Sequence, residues 1–262
     1  MRILVLGDVH IGSRWAPWPE DYVLAKGHRA GLSAGQVYLN ECWGHMLADA
    51  KRRRPDIILL NGDIMDGGMV KNIDVVSPRN DDQIGGAEAM LAPLVKLARK
   101  KVFATWGTGY HTGRGGENES TLCREVLHIE YLPELYLDTP AGIIHATHHV
   151  STTSQPMYEA TGLLKALLIK QLELLRAYGA GRMPDVRCVI RSHRHRFMAI
   201  EPEDKRLAIT TAPWMLKTEY NYKRSPDSEP EIGYLWLNAT DKGFAVELVR
   251  FELPLPEVKH VD

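Results

Sequence analysis

The residues whose types and spacing could do chemistry are Asp8-Val9-His10, Gly62-Asp63-Ile64-Met65-Asp66, His111, His148-His149 and Ser192-His193-Arg194-His195. Each cluster is placed where an apolar strand runs out. A strand end opens into a crevice, and carboxylates and imidazoles that face one another there are either paired or holding metal. Asp and His supply the mixed oxygen and nitrogen donors that adjacent first-row divalent cations take. The set predicts a dinuclear metal site.

Spacing sharpens that expectation. Asp8 and His10 lie two apart just after the run Ile3 to Leu6, so in extended backbone both side chains point to the same side. Asp63 follows Ile57 to Leu60 in the same way, and a carboxylate there can bridge two cations through its two oxygens. His193 and His195 repeat the spacing after Val186 to Ile190, so each could serve one metal of a pair. One H-x-H pair is more often surface or core histidine. Four clusters, each at a strand end and in a consistent order, argue for metal.

The elements that must carry these residues can be read from periodicity. Buried strands are predicted at Ile3 to Leu6, Ile57 to Leu60 and Val102 to Trp106. Helices between them show apolar stripes at Leu39, Cys42, Trp43, Met46, Leu47 and Ala50, and at Ile84, Ala87, Met90, Leu91, Leu94 and Ala98. Strand–helix alternation indicates a parallel sheet with helices on its faces. A third helix, about Leu163 to Tyr178, is expected to turn Leu164, Leu167, Leu168 and Leu175 inward and to end at Gly179. Strands at 142–147, 186–191, 207–211, 234–238 and 244–251 suggest a second, mixed or antiparallel sheet packed on the first. We expect one domain over residues 1–254 and a surface tail at 255–262.

Composition bounds the class. The chain has 262 residues, 44% of them hydrophobic, and a formal net charge of −1, so no global field draws it to nucleic acid or membrane. The run before Asp8 is too short for a signal peptide, and no segment approaches bilayer-spanning length. Cys42, Cys123 and Cys188 are few, scattered and odd in number, which argues for a reducing, cytoplasmic compartment.

The order D-x-H, G-D-x-x-D, a His after a third strand, a later His and a final x-H-x-H resembles the calcineurin-like metallophosphoesterase superfamily. The segment Thr211 to Thr218, with Ile232-Gly233 beyond it, is similar to the phage and prophage branch of that group. The resemblance spans about Met1 to Arg196. It implies an α/β fold: a four-layer α/β/β/α sandwich, two mixed sheets packed face to face with flanking helices. It also implies Asp8, His10 and His195 on one metal, His148 and His193 on the other, and Asp63 bridging. His111 would stand beside the scissile phosphate, with Asp66 an acid behind the ligands. His148 and His149 compete for one role, and the first of the pair is favoured. The implied activity is hydrolysis of a phosphoester by attack of a metal-bound hydroxide, as a phosphodiesterase or nuclease. Mn is the foremost metal, with Fe, Zn or Ni as alternatives.

One departure stands out. The family pattern at the third motif is Gly-Asn-His, with the Asn amide oxygen on the second metal. Here the run is Gly107-Thr108-Gly109-Tyr110-His111. Thr108, Tyr110 or a water fills that position, or the second metal binds more weakly.

Other features compete. Gly31-Leu32-Ser33-Ala34-Gly35 matches the G-x-S-x-G of serine hydrolases, but no strand precedes it. Ser33 with Gln36 makes a capping box instead. Loss of turnover would leave a binding or scaffold module with the same fold. The basic runs Lys51 to Arg54 and Arg99 to Lys101 are placed at helix C-termini, where cations complement the dipole. Arg114 either holds a substrate phosphate or is a plain loop residue. Trp15 and Trp18, with Trp214, Lys217, Tyr220, Tyr222, Lys223 and Arg224, lie in long aperiodic stretches. They either stack nucleic-acid bases or pack over the sheet edge or in a homodimer contact.

Overall fold

The computed structural model describes residues 1–67, 74–111, 117–151, 158–182, 184–202, 205–224 and 229–254. Eleven strands form two sheets among these residues. The first sheet contains β1 (Arg2–Leu6), β2 (Ile57–Asn61), β3 (Lys101–Thr105), β4 (Glu130–Leu132), β10 (Gly233–Thr240) and β11 (Gly243–Arg250), in the order β11-β10-β1-β2-β3-β4. β1 to β4 run parallel; β10 joins β1 antiparallel and β11 joins β10 antiparallel. The second sheet has β5 (Leu135–Leu137), β6 (Ile143–Ala146), β7 (Val186–Arg191), β9 (Leu207–Thr210) and β8 (Met198–Ile200), in that order. Its centre, β6-β7-β9, is parallel and its two edges are antiparallel. Both sheets are mixed, as expected.

Three apolar interfaces stack four layers. Successive strand residues point to opposite faces, so Leu4, Leu6, Ile58 and Leu60 meet helices α1 (Ala34–Arg53) and α2 (Asn80–Val95). Ile3, Val5, Ile57 and Leu59 face the other sheet, where Ile144, Cys188, Ile190 and Ile209 meet them. On the far side Leu163, Leu167 and Leu174 of α4 (Glu159–Tyr178) cover Val189 and Ala208. This is the α/β/β/α arrangement.

Helix ends follow their chemistry. Ser33 caps α1 in a full capping box with Gln36, and Lys51, Arg52 and Arg53 occupy its last turn. No strand precedes Ser33, so the serine-hydrolase motif lacks its context. Gly179, at φ +73°, closes α4 with its N–H on the Leu175 carbonyl. Two shorter helices, α3 (Glu117–Ser120), which runs into a π turn at Thr121–Val126, and α5 (Glu219–Arg224), complete the described set.

Several expectations need correction. Leu168 and Leu175 do not face inward: they are 59% and 43% exposed, and Leu163 and Leu174 take the core positions. The period places one stripe correctly only if its phase is right, and a leucine-rich helix leaves the phase open. α2 stops at Val95, so Arg99 to Lys101 lie in the following turn and at the start of β3, with Arg99 paired to Asp56. Of the two readings of the aromatic stretches, packing holds for Trp18 and Trp214. Both are fully buried, Trp18 against Tyr22 and Trp214 among Trp43, Tyr234 and Phe251. The expected tail at 255–262 lies outside the described residues.

Candidate metal centre

The clusters converge at one end of the molecule. β1, β2 and β3 of one sheet and β6 and β7 of the other all deliver their carboxyl ends there, the position where open parallel sheets form crevices. Asp8 and His10 follow β1, Asp63 and Asp66 follow β2, Thr108 and His111 follow β3, His148 follows β6, and His193 and His195 follow β7. Backbone hydrogen bonds sew the loops together: Asp8 N–H to Gly62 O, His10 N–H to Asp63 O, Ser192 N–H to His148 O and Trp214 N–H to Asp8 O.

Local backbone is where spacing misled. Asp8, His10, Asp63, His193 and His195 all take positive φ, between 47° and 73°. They are not the extended i, i+2 pairs that the sequence suggested. Left-handed backbone is uncommon for residues with a Cβ and costs about 1–3 kcal/mol each. Five such residues in one cluster mark strain that the surrounding hydrogen bonds hold in place. Close packing adds to this constraint. A Cβ on Gly62 would lie 2.6 Å from the His148 ring, and one on Gly107 would lie 2.3 Å from Asp63 Oδ1.

Side-chain geometry then closes the centre. His148 Nε2 lies 2.9 Å from Asp63 Oδ2 and 3.8 Å from Asp8 Oδ1. His195 Nε2 lies 3.2 Å from His10 Nε2 and 3.5 Å from Asp8 Oδ1. Four groups have potential ligand atoms within 4.8 Å of one another: Asp8-His10-His195, Asp8-Asp63-His148, His10-Asp63-His111 and His148-His149-His193. Arg114 lies outside the described residues.

These residues fit a pair of divalent cations. Metal–donor bonds of about 2.0–2.2 Å put neighbouring donors roughly 3.0–3.4 Å apart, the spacing that the closest pairs here show. Tautomers agree as well. His148 Nδ1 is 2.9 Å from the Asn61 carbonyl oxygen, and His10 Nδ1 is 3.3 Å from Asp66 Oδ1. An acceptor at Nδ1 keeps a proton on that nitrogen, so loss of the Nε2 proton would leave a lone pair directed inward, as metal-ligating histidines are held. Asp8, His10, Asp63, Asp66 and His148 are buried, so their polar atoms have little access to water.

Charge is distributed unevenly. Burial, with the Asp63 charge adding to it, raises the Asp8 carboxyl to about 6. Burial would raise Asp63 too, but the His148 hydrogen bond and charge hold it well below the ordinary range. Burial keeps His193 down at about 4, and His195 well below the usual value, so both imidazoles are neutral donors. Burial opposes charge on His111, yet Asp66 and Asp63 together lift it to about 9.

Sequence reasoning missed the groups beneath the centre. Glu119 is fully buried and accepts from the Ile64, Met65 and Gly107 N–H groups and from the Tyr131 hydroxyl. It thereby fixes the backbone on both sides of Asp63. Asn61 donates to Ser192 Oγ and to the Thr147 carbonyl and accepts from Thr105 Oγ1, tying β2, β3 and β7. An isolated Glu or a strand-end Asn gives no sequence signal for such a role.

Over residues 1–108 the chain is similar to the calcineurin-like phosphoesterase family. No curated protein matches the sequence. Solved structures similar to it include a novel archaeal phosphodiesterase (10% identity, 95% of this chain and 100% of that one, TM-score 0.46). Another is a dimetal phosphatase from Danio rerio (13%, 95% and 96%, TM-score 0.47). A third is a metallophosphoesterase from Sphaerobacter thermophilus (15%, 97% and 90%, TM-score 0.46). No described helix is long and apolar enough to cross a membrane.

Proposed function

We propose that this chain is a dinuclear-metal phosphoesterase acting on phosphodiesters, nucleic acid among them, with Mn as the foremost metal. The observation that carries this reading is the convergence of Asp8, His10, Asp63, His148, His193 and His195 from four strand ends, all but His148 in left-handed backbone. In this reading Asp8, His10 and His195 hold one cation, His148 and His193 the other, and Asp63 both. A bound metal pair supplies Lewis acidity and an acidified water for attack on phosphorus.

The chain's own residues do the rest. Asp66 orients two imidazoles at once, His10 toward the cations and His111 toward the substrate side. His111, charged at neutral pH, stabilises the phosphoryl oxygens or gives its proton to the leaving alkoxide. Arg114 remains a proposed phosphate contact on sequence position alone. Because the site draws on both sheets, residues 1–254 read as one domain. The segment that resembled the phage branch supports the floor of the site: Trp214 N–H holds the Asp8 carbonyl and Thr211 Oγ1 donates to Ser192 Oγ. The three buried thiols suit a reducing, cytoplasmic setting. Leu168, Leu172 and Leu175 form an exposed stripe on α4 that suits a homodimer, to be checked by light scattering.

The deciding experiment is a metal-reconstituted panel of p-nitrophenyl phosphate, bis-p-nitrophenyl phosphate, and single-stranded and duplex DNA. Turnover of the diester and of DNA supports the reading. Stoichiometric metal with no turnover on any phosphoester would favour the scaffold module instead.

A further inference from the structure

His149 is turned into the same space as its neighbours. The rings of His148, His149 and His193 form a triangle, with centroids 5.2 Å apart from His148 to His149, 5.0 Å from His149 to His193 and 5.3 Å from His148 to His193. Each ring offers a ligand nitrogen within 4.8 Å of the other two. The backbone fixes this meeting: Thr147 N–H bonds the Ile190 carbonyl and Ser192 N–H bonds the His148 carbonyl, so residues 147–149 run alongside the extension of β7. The three imidazoles meet edge toward face, at interplanar angles of 70–75°, and do not stack on one another. A shared cation would satisfy all three.

Position 108 is the other half of the observation. Thr108 directs its backbone N–H (2.5 Å) and its hydroxyl (3.0 and 3.2 Å) at the Asp63 carboxylate. In all three contacts Thr108 is the donor and the Asp63 carboxylate the acceptor. Residue 108, a Thr, offers no amide oxygen, while a further imidazole, His149, stands beside His148 and His193.

We propose that His149 is a protein ligand of the second cation, completing with Asp63, His148 and His193 a set that position 108 does not supply. His148 and His149 then do not compete for one role; both ligate. The inference rests on the dinuclear reading above. It makes the second position the more nitrogen-rich of the two, three imidazoles and a carboxylate against two of each at the first. Imidazole-rich sites suit Zn, Fe and Ni, whereas carboxylates suit Mn, so the two positions differ in metal preference.

The test is calorimetric titration of the chelator-stripped full chain with Mn²⁺, with elemental analysis of the loaded protein, on wild type, His149→Ala, His149→Ala/Thr108→Asn and an exposed-histidine control, His45→Ala. Circular dichroism and melting confirm the fold of each. The expected result is two Mn²⁺ in wild type and in His45→Ala. His149→Ala should keep the tighter ion and weaken the other by at least about tenfold, the lower end of what even residues behind the ligands contribute. The double variant, which offers an amide oxygen at 108, should recover part of that loss. Fewer than two ions in wild type overturns the dinuclear reading itself. Two ions in wild type with the weaker Kd within twofold in His149→Ala overturns the role of His149 alone. Loss of both ions in a folded His149→Ala also overturns it, since the first position would then depend on a residue placed outside it.

Discussion

Oδ1 of Asp66 lies 3.1 Å from Nδ1 of His111, and the Asp66 carbonyl oxygen lies 3.0 Å from the same nitrogen. Both contacts fix the proton at Nδ1, and the carboxylate itself is held down at about 2: burial alone would raise it, but His10 and His111 hydrogen-bond to it. Asp66 thus holds a charged imidazole at His111 while it also contacts His10, and in the proposed reading His111 faces the substrate. His111→Ala should retain two metals and lower kcat by about 100- to 10,000-fold, the usual worth of a general acid. Asp66→Asn should lower kcat less and also loosen metal, because it releases His10 as well. Metal loss in His111→Ala as complete as that from a bridging-ligand variant would invert these roles.

Asp63→Asn is expected to be the most damaging single change. Its carboxylate accepts from Thr108 and faces His148 and His10, so it belongs to the groups on both sides of the centre. An amide in its place keeps the shape and loses the charge that two cations would share. Elemental analysis should find less than one metal per chain, with the melting temperature of the metal-free protein changed far less than that of the loaded one.

Gly62→Ala tests how tightly the centre is packed. Gly62 has φ +76°, and a Cβ there would meet three atoms of the His148 side chain, two of them in the ring, at 2.6 Å. The ring is buried and hydrogen-bonded to Asn61, so it cannot swing aside. Overpacking and left-handed strain each cost about 1–3 kcal/mol. Urea denaturation should show a loss in that range, together with weakened binding of the second metal. A variant as stable as wild type would show that the loop relaxes freely.

Much of this was legible in the sequence, but partly for the wrong reason. The clusters at 8–10, 63–66 and 193–195 were correctly placed at strand ends because apolar runs mark strands and polar residues end them. Their side chains converge, yet through left-handed backbone rather than extended alternation, and nothing in residue spacing encodes that. β4, β5 and β8 went unseen because three residues carry no period. The aromatic loops left two readings open for a different reason. Composition cannot tell a stacking Trp from a core Trp, and Trp18 and Trp214 are core.

Those buried tryptophans redirect the search for substrate contacts. Trp106 and Tyr110 are 49% and 48% exposed in the loop between β3 and His111, and the Tyr110 ring sits 5.1 Å edge-on to His111. Base stacking is worth about 1–3 kcal/mol per base. Tyr110→Ala should therefore raise KM for single-stranded DNA by roughly five- to a hundred-fold and leave bis-p-nitrophenyl phosphate nearly untouched. Trp214→Ala should instead destabilise the fold by about 3–5 kcal/mol and reduce every substrate alike. Equal losses on both substrates in Tyr110→Ala would remove stacking from the account.

Acid stability offers a last check, on a network behind the site. His145 is buried between Glu134, 2.8 Å from its Nε2, and the buried Arg191, whose guanidinium lies 3.1 Å from its Nδ1. Burial first, and then the Arg191 charge, push His145 down to about 4, against the pull of Glu134. A histidine whose folded value lies below its ordinary 6.5 contributes stability above about pH 6.5. That contribution is lost as the pH falls toward 4, because the unfolded chain takes up the proton first. The shift bounds the effect at about 3 kcal/mol. His145→Gln keeps an acceptor for Arg191 and a donor for Glu134 but cannot titrate. Urea titrations of the metal-free chain from pH 7 to 4 should therefore show a shallower loss in the variant than in wild type. His193 and His195, also depressed, leave a residual slope in both proteins. Identical slopes would mean that His145 is protonated in the fold, with Glu134 outweighing burial and Arg191.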